Sequence, residues 1–181
     1  TLDTATKNKA LKVIADKIIE REPIILEANG RDIDAGRANG LGQPLLDRLL
    51  LTPTRLESMA NDVKSIINLP DPVGEEFESR RMPNGLQVSK RRIPIGVVGV
   101  IYESRPNVTI DISALCLKSG NAAILRGGKE AAHSNKALAE AVRIGFTAAG
   151  LPTEGIQLIE STQREMIREM LRANGIIDMI I

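Results

Sequence analysis

From Ile93 onward, short apolar runs alternate with helical stretches, and this alternation restricts the fold more than any other feature of the chain. "IPIGVVGVIY" (93–102) is a nearly unbroken apolar run, the pattern of a strand buried on both faces. "VTIDISALCLKSG" (108–120) follows with Val108, Ile112 and Leu115 in helical phase and Gly120 as its stop. "NAAILR" (121–126) predicts a second strand and 130–149 a long helix closed by Gly150 and Pro152. "GIQLIE" (155–160) predicts a third strand. Thr162 and Glu165 have the spacing of a capping box for a helix ending at Gly175, and "IIDMII" predicts a fourth strand. Strands and helices in this order imply a parallel sheet covered on both sides.

The first seventy residues read differently. Leu11, Ile14 and Ile18 recur at helical spacing, Pro23 suits a helix first turn, and Thr52-Pro53 opens a helix whose face is Leu56, Ala60, Val63 and Ile67. The tripeptide "ANG" occurs at 28–30, 38–40 and 173–175, each predicting a left-handed residue that ends a helix. "LPDPVG" (69–74) reads as a linker. Beyond it, Asn84-Gly85 predicts a hairpin turn between segments 76–82 and 86–92. Those segments carry few apolar side chains, so the hairpin either projects into solvent or pairs with another chain. The expected organisation is a helical region over 1–70, a linker and hairpin over 71–92, and an α/β, Rossmann-like region over 93–181.

Composition narrows the function classes. Lys+Arg is 24 against Asp+Glu 23, a net charge of +1 without the basic excess of a nucleic-acid binder. Two phenylalanines and one tyrosine make no base-stacking platform. No apolar run approaches the roughly 18 residues of a membrane span. A single cysteine gives no internal disulfide and predicts a cytoplasmic chain. The chain starts at Thr1 inside a helical pattern and stops at Ile181 inside an apolar run, so a piece of something longer is expected.

In an open parallel sheet, ligands sit beyond the carboxyl ends of the strands. Two such ends are unusual here. "RGGK" (Arg126, Gly127, Gly128, Lys129) joins two cations to a pair of glycines at the start of a helix, which suits a phosphate, or else is a tight turn with solvated cations. It is neither a Walker loop nor "GxGxxG". In "YESRPN" (102–107), Asn107 either caps the following helix or offers an amide to a reacting carbonyl, and Arg105 either holds a phosphate or carboxylate or pairs with Glu103. Cys116, in mid-helix between two leucines, reads as a packed small hydrophobe. His133 reads as a surface or supporting group. No paired-ligand spacing predicts a metal.

"RRIPIGVVGVIYESRPNVTIDISALCLKSGNAAILRGGKEAAHSN", together with "ANGLGQPLLDRLLLTPTRLESMANDV", "INLPDPVG" and "IDMII", resembles the gamma-glutamyl phosphate reductase (glutamate-5-semialdehyde dehydrogenase) family within the aldehyde dehydrogenase superfamily. The resemblance implies a Rossmann-like cofactor-binding region and an oligomerisation hairpin at 76–92, giving a homo-oligomer. It implies NADPH-dependent reduction of L-glutamyl 5-phosphate to L-glutamate 5-semialdehyde and phosphate in proline biosynthesis, with functional coupling to glutamate 5-kinase. The family's nucleophilic cysteine lies in a downstream catalytic domain that this chain does not contain, and Cys116 does not match its motif. A chain of this extent is therefore expected to be inactive alone. Arg126 falls where superfamily members commonly place a lysine against the adenosine ribose, and Lys129 where many NAD-using members place an acid. A cation there favours a 2′-phosphate and hence NADPH. Asn107 or Arg105 falls near the superfamily's oxyanion-hole asparagine, in a shorter loop. Two other readings stay open from the residues alone: a non-catalytic nucleotide- or phosphate-binding module, and an assembly element acting through the hairpin.

Overall fold

The structure, a computed structural model, describes residues 2–181. Four helices open the chain: α1 (Thr4–Glu20), α2 (Glu22–Ala38), α3 (Gln43–Leu49) and α4 (Pro53–Asn68). The expected start of α4 is observed. Thr52 accepts a hydrogen bond from Arg55 N–H and Pro53 occupies the first turn, while Leu56, Ala60 and Val63 are buried. One helix stop fails. Gly40 and Gly175 are left-handed at φ 74° and 77°, but Gly30 lies inside α2. The helix runs through it because its neighbour Asn29 is anchored: Nδ2 donates to Leu49 O (2.8 Å) and Ser134 Oγ (3.0 Å), and Oδ1 accepts from Leu51 N–H (2.8 Å).

A two-stranded antiparallel hairpin follows, β1 (Glu76–Arg81) and β2 (Gln87–Arg91), turning at Gly85 with φ 85°. Its side chains are exposed except for half-buried Phe77, whose ring centroid lies 5.0 Å from the Arg92 guanidinium. The linker before it is pinned to the body. Lys7, fully buried, donates from Nζ to both Asp71 carboxylate oxygens at 2.9 Å. Lys118 Nζ donates to Asn8 Oδ1 (2.9 Å) and Ile67 O (3.0 Å).

The remaining elements are β3 (Val97–Ile101), α5 (Asn107–Lys118), β4 (Ala122–Arg126), α6 (Ala132–Ala148), β5 (Ile156–Leu158), α7 (Glu165–Arg172) and β6 (Met179–Ile180). The four strands form one sheet in the order β5-β4-β3-β6, every pair parallel, as the alternation predicts. Bounds differ from expectation, and every strand is shorter than its apolar run, β5 and β6 most of all. The first strand begins at Val97: Pro94 has no N–H to give, Gly96 sits at φ 125°, and Ile93 and Ile95 are exposed. The helix after Gly128 opens with a 3₁₀ turn, Lys129–Ala131, before α6 proper. The Thr162/Glu165 capping box does not form; α7 starts after Arg164 with no side-chain cap and ends at Arg172. Asn107 does not cap α5 either. It is the first helical residue, and its Nδ2 donates to Asp111 Oδ2 at 2.9 Å, one turn along.

Alternation along the strands divides the sheet into two faces. Val98, Val100, Ala123 and Leu125 enter the main core with Ile110 and Leu117 of α5 and Leu138 and Val142 of α6. Leu11 and Ile14 of α1 and Leu56 and Val63 of α4 belong to the same core, so the N-terminal helices form a further layer outside α5 and α6. The α1–α6 crossing is close: a Cβ on Gly145 would strike Ile14. On the opposite face Gly99 lies under Met170 of α7 and Ile177, where an added Cβ would come within 3.2 Å of both side chains.

Candidate functional site

The carboxyl ends of β3, β4 and β5 open into two adjoining cavities that share Gly128 and Thr162. The larger, about 740 Å³, takes Tyr102, Arg126, Lys129, Glu130 and Arg164 into its wall. The smaller, about 250 Å³, is lined by Gly127, His133, Lys136 and Glu160. All four residues of "RGGK" therefore edge one groove. Arg126 is buried, and its Nη2 donates to Thr162 O at 3.0 Å. Its Nε–H is buried without a partner among the described residues. A buried guanidinium donor left open beside a cavity is the kind of group an oxygen-rich ligand completes. Lys129 is exposed and forms no ion pair among the described residues. Lys136 is paired with Glu160 at 2.7 Å.

Gly127 has to be glycine for packing rather than for backbone angle. A Cβ there would collide with Asn135 Nδ2 and press on the Tyr102 ring. Both belong to a buried polar chain: Tyr102 O–H and Thr109 Oγ1 lie 2.7 Å apart, and Thr109 Oγ1 donates to Asn135 Oδ1 at 3.0 Å. Burial pushes the Tyr102 hydroxyl up to about 12 despite the Thr109 hydrogen bond.

The start of α6 holds what sequence reasoning missed. The expectation was a row of free N–H groups awaiting an anion. Instead Asp32, 3% exposed and belonging to α2, fills the position. Its Oδ1 accepts from His133 N–H (3.2 Å) and lies 2.7 Å from His133 Nδ1; its Oδ2 accepts from Ser134 N–H (2.8 Å) and Ser134 Oγ (2.6 Å). The helix end is thus neutralised from within, and the positive charge lining the groove is carried by side chains, Arg126, Lys129 and Arg164. A signal was present. Ile25, Asn29, Asp32, Ile33 and Gly36 share the buried face of α2, and two polar residues on such a stripe require partners.

Arg105 and Asn107 lie elsewhere. They line a separate cleft of about 440 Å³ between α3, α4 and the start of α5, away from Arg126 and Lys129. Cys116 is buried, and burial alone raises its thiol to about 11, so it is protonated at neutral pH and supplies no thiolate. Among the described residues no group of three His, Cys, Asp or Glu side chains forms a metal site, and no helix is long and apolar enough to cross a membrane.

The layered fold is shared with aldehyde dehydrogenases. An acetylating aldehyde dehydrogenase from Geobacillus thermoglucosidasius superposes with a TM-score of 0.73 at 17% identity, over 99% of this chain and 37% of that one. No family model matches the chain. More particularly, the whole chain matches the N-terminal part of gamma-glutamyl phosphate reductase. The Vibrio vulnificus protein of that name is 53% identical over 181 residues, all of this chain and 44% of its own length. Crystal structures of gamma-glutamyl phosphate reductase from Thermotoga maritima (TM-score 0.96, 42% identity) and Saccharomyces cerevisiae (0.91, 34%) each cover 99% of this chain, and 44% and 46% of their own lengths. The chain thus spans less than half the length of the curated relatives it matches.

Proposed function

We propose that this chain is the coenzyme-binding part of a gamma-glutamyl phosphate reductase, an enzyme reducing L-glutamyl 5-phosphate to L-glutamate 5-semialdehyde and phosphate with NADPH in proline biosynthesis. The observation that carries the reading is the 53% identity, over the whole of this chain and 44% of the relative's length, with a protein of that name. The groove beyond β4 and β5 supports it: an open buried donor on Arg126, a Lys129 without an ion-pair partner among the described residues, and a Gly127-Gly128 pair edging both cavities.

When bound, NADPH supplies the hydride of the reduction. This chain's residues hold and orient it. Arg126, fixed by Thr162 O, presents its guanidinium to the groove, and the exposed Lys129 would offer its ammonium to a ribose 2′-phosphate. Glu130, which accepts from Ser104 Oγ at 3.3 Å, keeps the two loops together. Cys116 takes no part in group transfer, being a buried thiol that burial raises to about 11, so the 181 residues alone are expected to show no turnover. Lys129→Glu is expected to weaken NADPH binding about tenfold or more while leaving NADH nearly unchanged, measured by fluorescence titration of both coenzymes. Equal losses for the two would remove the 2′-phosphate role.

The hairpin supports a second role, assembly. Its edges are unpaired, its side chains are exposed, and it has almost no core of its own. Removing residues 76–92 is expected to reduce the mass in solution to that of a monomer, read by light scattering.

A further inference from the structure

The chain contains four Asn-Gly pairs, at 29–30, 39–40, 84–85 and 174–175. In such a pair the glycine nitrogen, unhindered by a Cβ, can attack the side-chain carbonyl of the asparagine before it. Whether it does so in a folded protein depends on how firmly the two reacting groups are held. Three of the pairs are held. Asn29 is 2% exposed, its amide is engaged by Leu49, Ser134 and Leu51, and Gly30 lies inside α2. Asn39 Nδ2 donates to Ala35 O at 2.8 Å, and Gly40 N–H donates to Arg37 O at 3.0 Å. Asn84 Oδ1 accepts from Leu86 N–H at 3.1 Å, and Gly85 N–H donates to Met82 O at 2.9 Å.

The fourth pair differs on each count. Asn174 and Gly175 are both exposed, in the turn between α7 and β6. Neither the Asn174 side chain nor the Gly175 N–H has a hydrogen-bond partner among the described residues. The backbone on the far side is anchored instead: Ile176 and Ile177 N–H both donate to Ala173 O, at 3.1 and 3.0 Å. The reacting amide and nitrogen are therefore left open to water at the apex of a fixed turn.

We infer that Asn174-Gly175 is a site of spontaneous covalent modification in the folded protein, deamidation to aspartate and isoaspartate. The Gly175 nitrogen gives its proton to solvent and bonds to Asn174 Cγ. The Cγ–Nδ2 bond breaks, ammonia leaves, and a cyclic imide closes. Water then opens the ring. Cleavage at Cγ leaves ordinary aspartate, and cleavage at the main-chain carbonyl leaves isoaspartate, whose chain runs through the side-chain carbons. Water is the only co-reactant. The isoaspartyl form lengthens the main chain by one methylene just ahead of β6, the edge strand. That strand is held in register by Asp178, whose N–H donates to Val97 O at 2.9 Å and whose Oδ2 accepts from Val97 N–H at 2.8 Å. An added methylene works against this register.

The test incubates the 181-residue chain in mildly alkaline buffer and follows all four pairs by peptide mapping and mass spectrometry. Asn174 is expected to convert about tenfold faster than Asn39 or Asn84, which must first break local hydrogen bonds, while Asn29 stays intact. In denaturant the four rates are expected to converge. Equal rates at Asn174 and Asn84 in the folded chain overturn the inference. So does a preference for Asn174 that persists in denaturant, since local sequence rather than the fold would then set it. Hydrogen exchange reads the consequence for the sheet. The deamidated fraction, separated by ion exchange, carries isoaspartate and is expected to lose protection at Asp178 and Ile181 N–H, which donate to Val97 O and Gly99 O. Freshly purified Asn174→Asp adds the charge without the methylene and is expected to keep that protection. Unchanged protection in the deamidated fraction, or an equal loss in Asn174→Asp, overturns the effect on β6.

Discussion

The two strand-to-helix junctions, β3 to α5 and β4 to α6, look alike in topology and solve the same problem in opposite ways. Each helix leaves backbone N–H groups without partners inside the helix. At α5 the answer is local: Val108 N–H donates to Arg105 O and Thr109 N–H to Pro106 O, both at 3.1 Å, and no side chain caps the end. At α6 the answer is tertiary, a buried carboxylate from α2 that serves two N–H groups, a hydroxyl and an imidazole. The first junction therefore relies on its own loop, whereas the second depends on a carboxylate about a hundred positions away along the chain. The two are joined through Tyr102, Thr109 and Asn135.

If the contrast holds, disturbing α6 at its start should cost far more than disturbing α5. Asp32→Ala strands His133 N–H, Ser134 N–H and Ser134 Oγ in a buried setting and is expected to destabilise the chain by about 3–5 kcal/mol, read by denaturant titration. A loss below about 1 kcal/mol would mean that water replaces the carboxylate and that the two junctions are equivalent. The link between them has an intermediate effect and a pH signature. Tyr102 is raised from 10.0 to about 12, so the folded state holds its proton more tightly than the unfolded state. The stability contribution is complete below pH 10 and is lost as pH rises through about 12, with an upper bound of about 2–3 kcal/mol. The melting temperature should fall over that window, and Tyr102→Phe should flatten the fall. Asn107→Ala gives the smallest effect, about 1 kcal/mol or less, because the helix loses only the bond to Asp111.

The same contrast explains what the sequence makes legible. Parallel strands, the Thr52 cap and the Asn84-Gly85 turn are written in contiguous residues, and each is found, although every strand is shorter than its apolar run. The failures share a different cause. Gly30 looked like a stop because its own neighbourhood said so, while the partners that keep α2 running past it, Leu49, Leu51 and Ser134, lie 20 to 105 residues away. Thr162 and Glu165 have capping spacing, yet Thr162 O is engaged by the Arg126 side chain of another strand end. The "RGGK" residues do converge on one groove, as their position at a strand end suggests, but the anion at the helix start came from a residue that no local window contains. Arg105 and Asn107 belong to the segment between β3 and α5, and only the structure separates their cleft from the groove.

The Asp32 clamp also bears on the route by which the chain folds. His133 and Asp32 are 101 positions apart, so the contact closes one of the longest loops in the molecule, spanning the three whole helices α3, α4 and α5, the hairpin and two strands of the sheet. Loop closure over such a distance is slow and entropically unfavourable until other contacts hold the ends near each other. The beginning of α6 should accordingly order late, after α2 has docked, and replacements at Asp32 should accelerate unfolding while leaving the refolding rate nearly untouched.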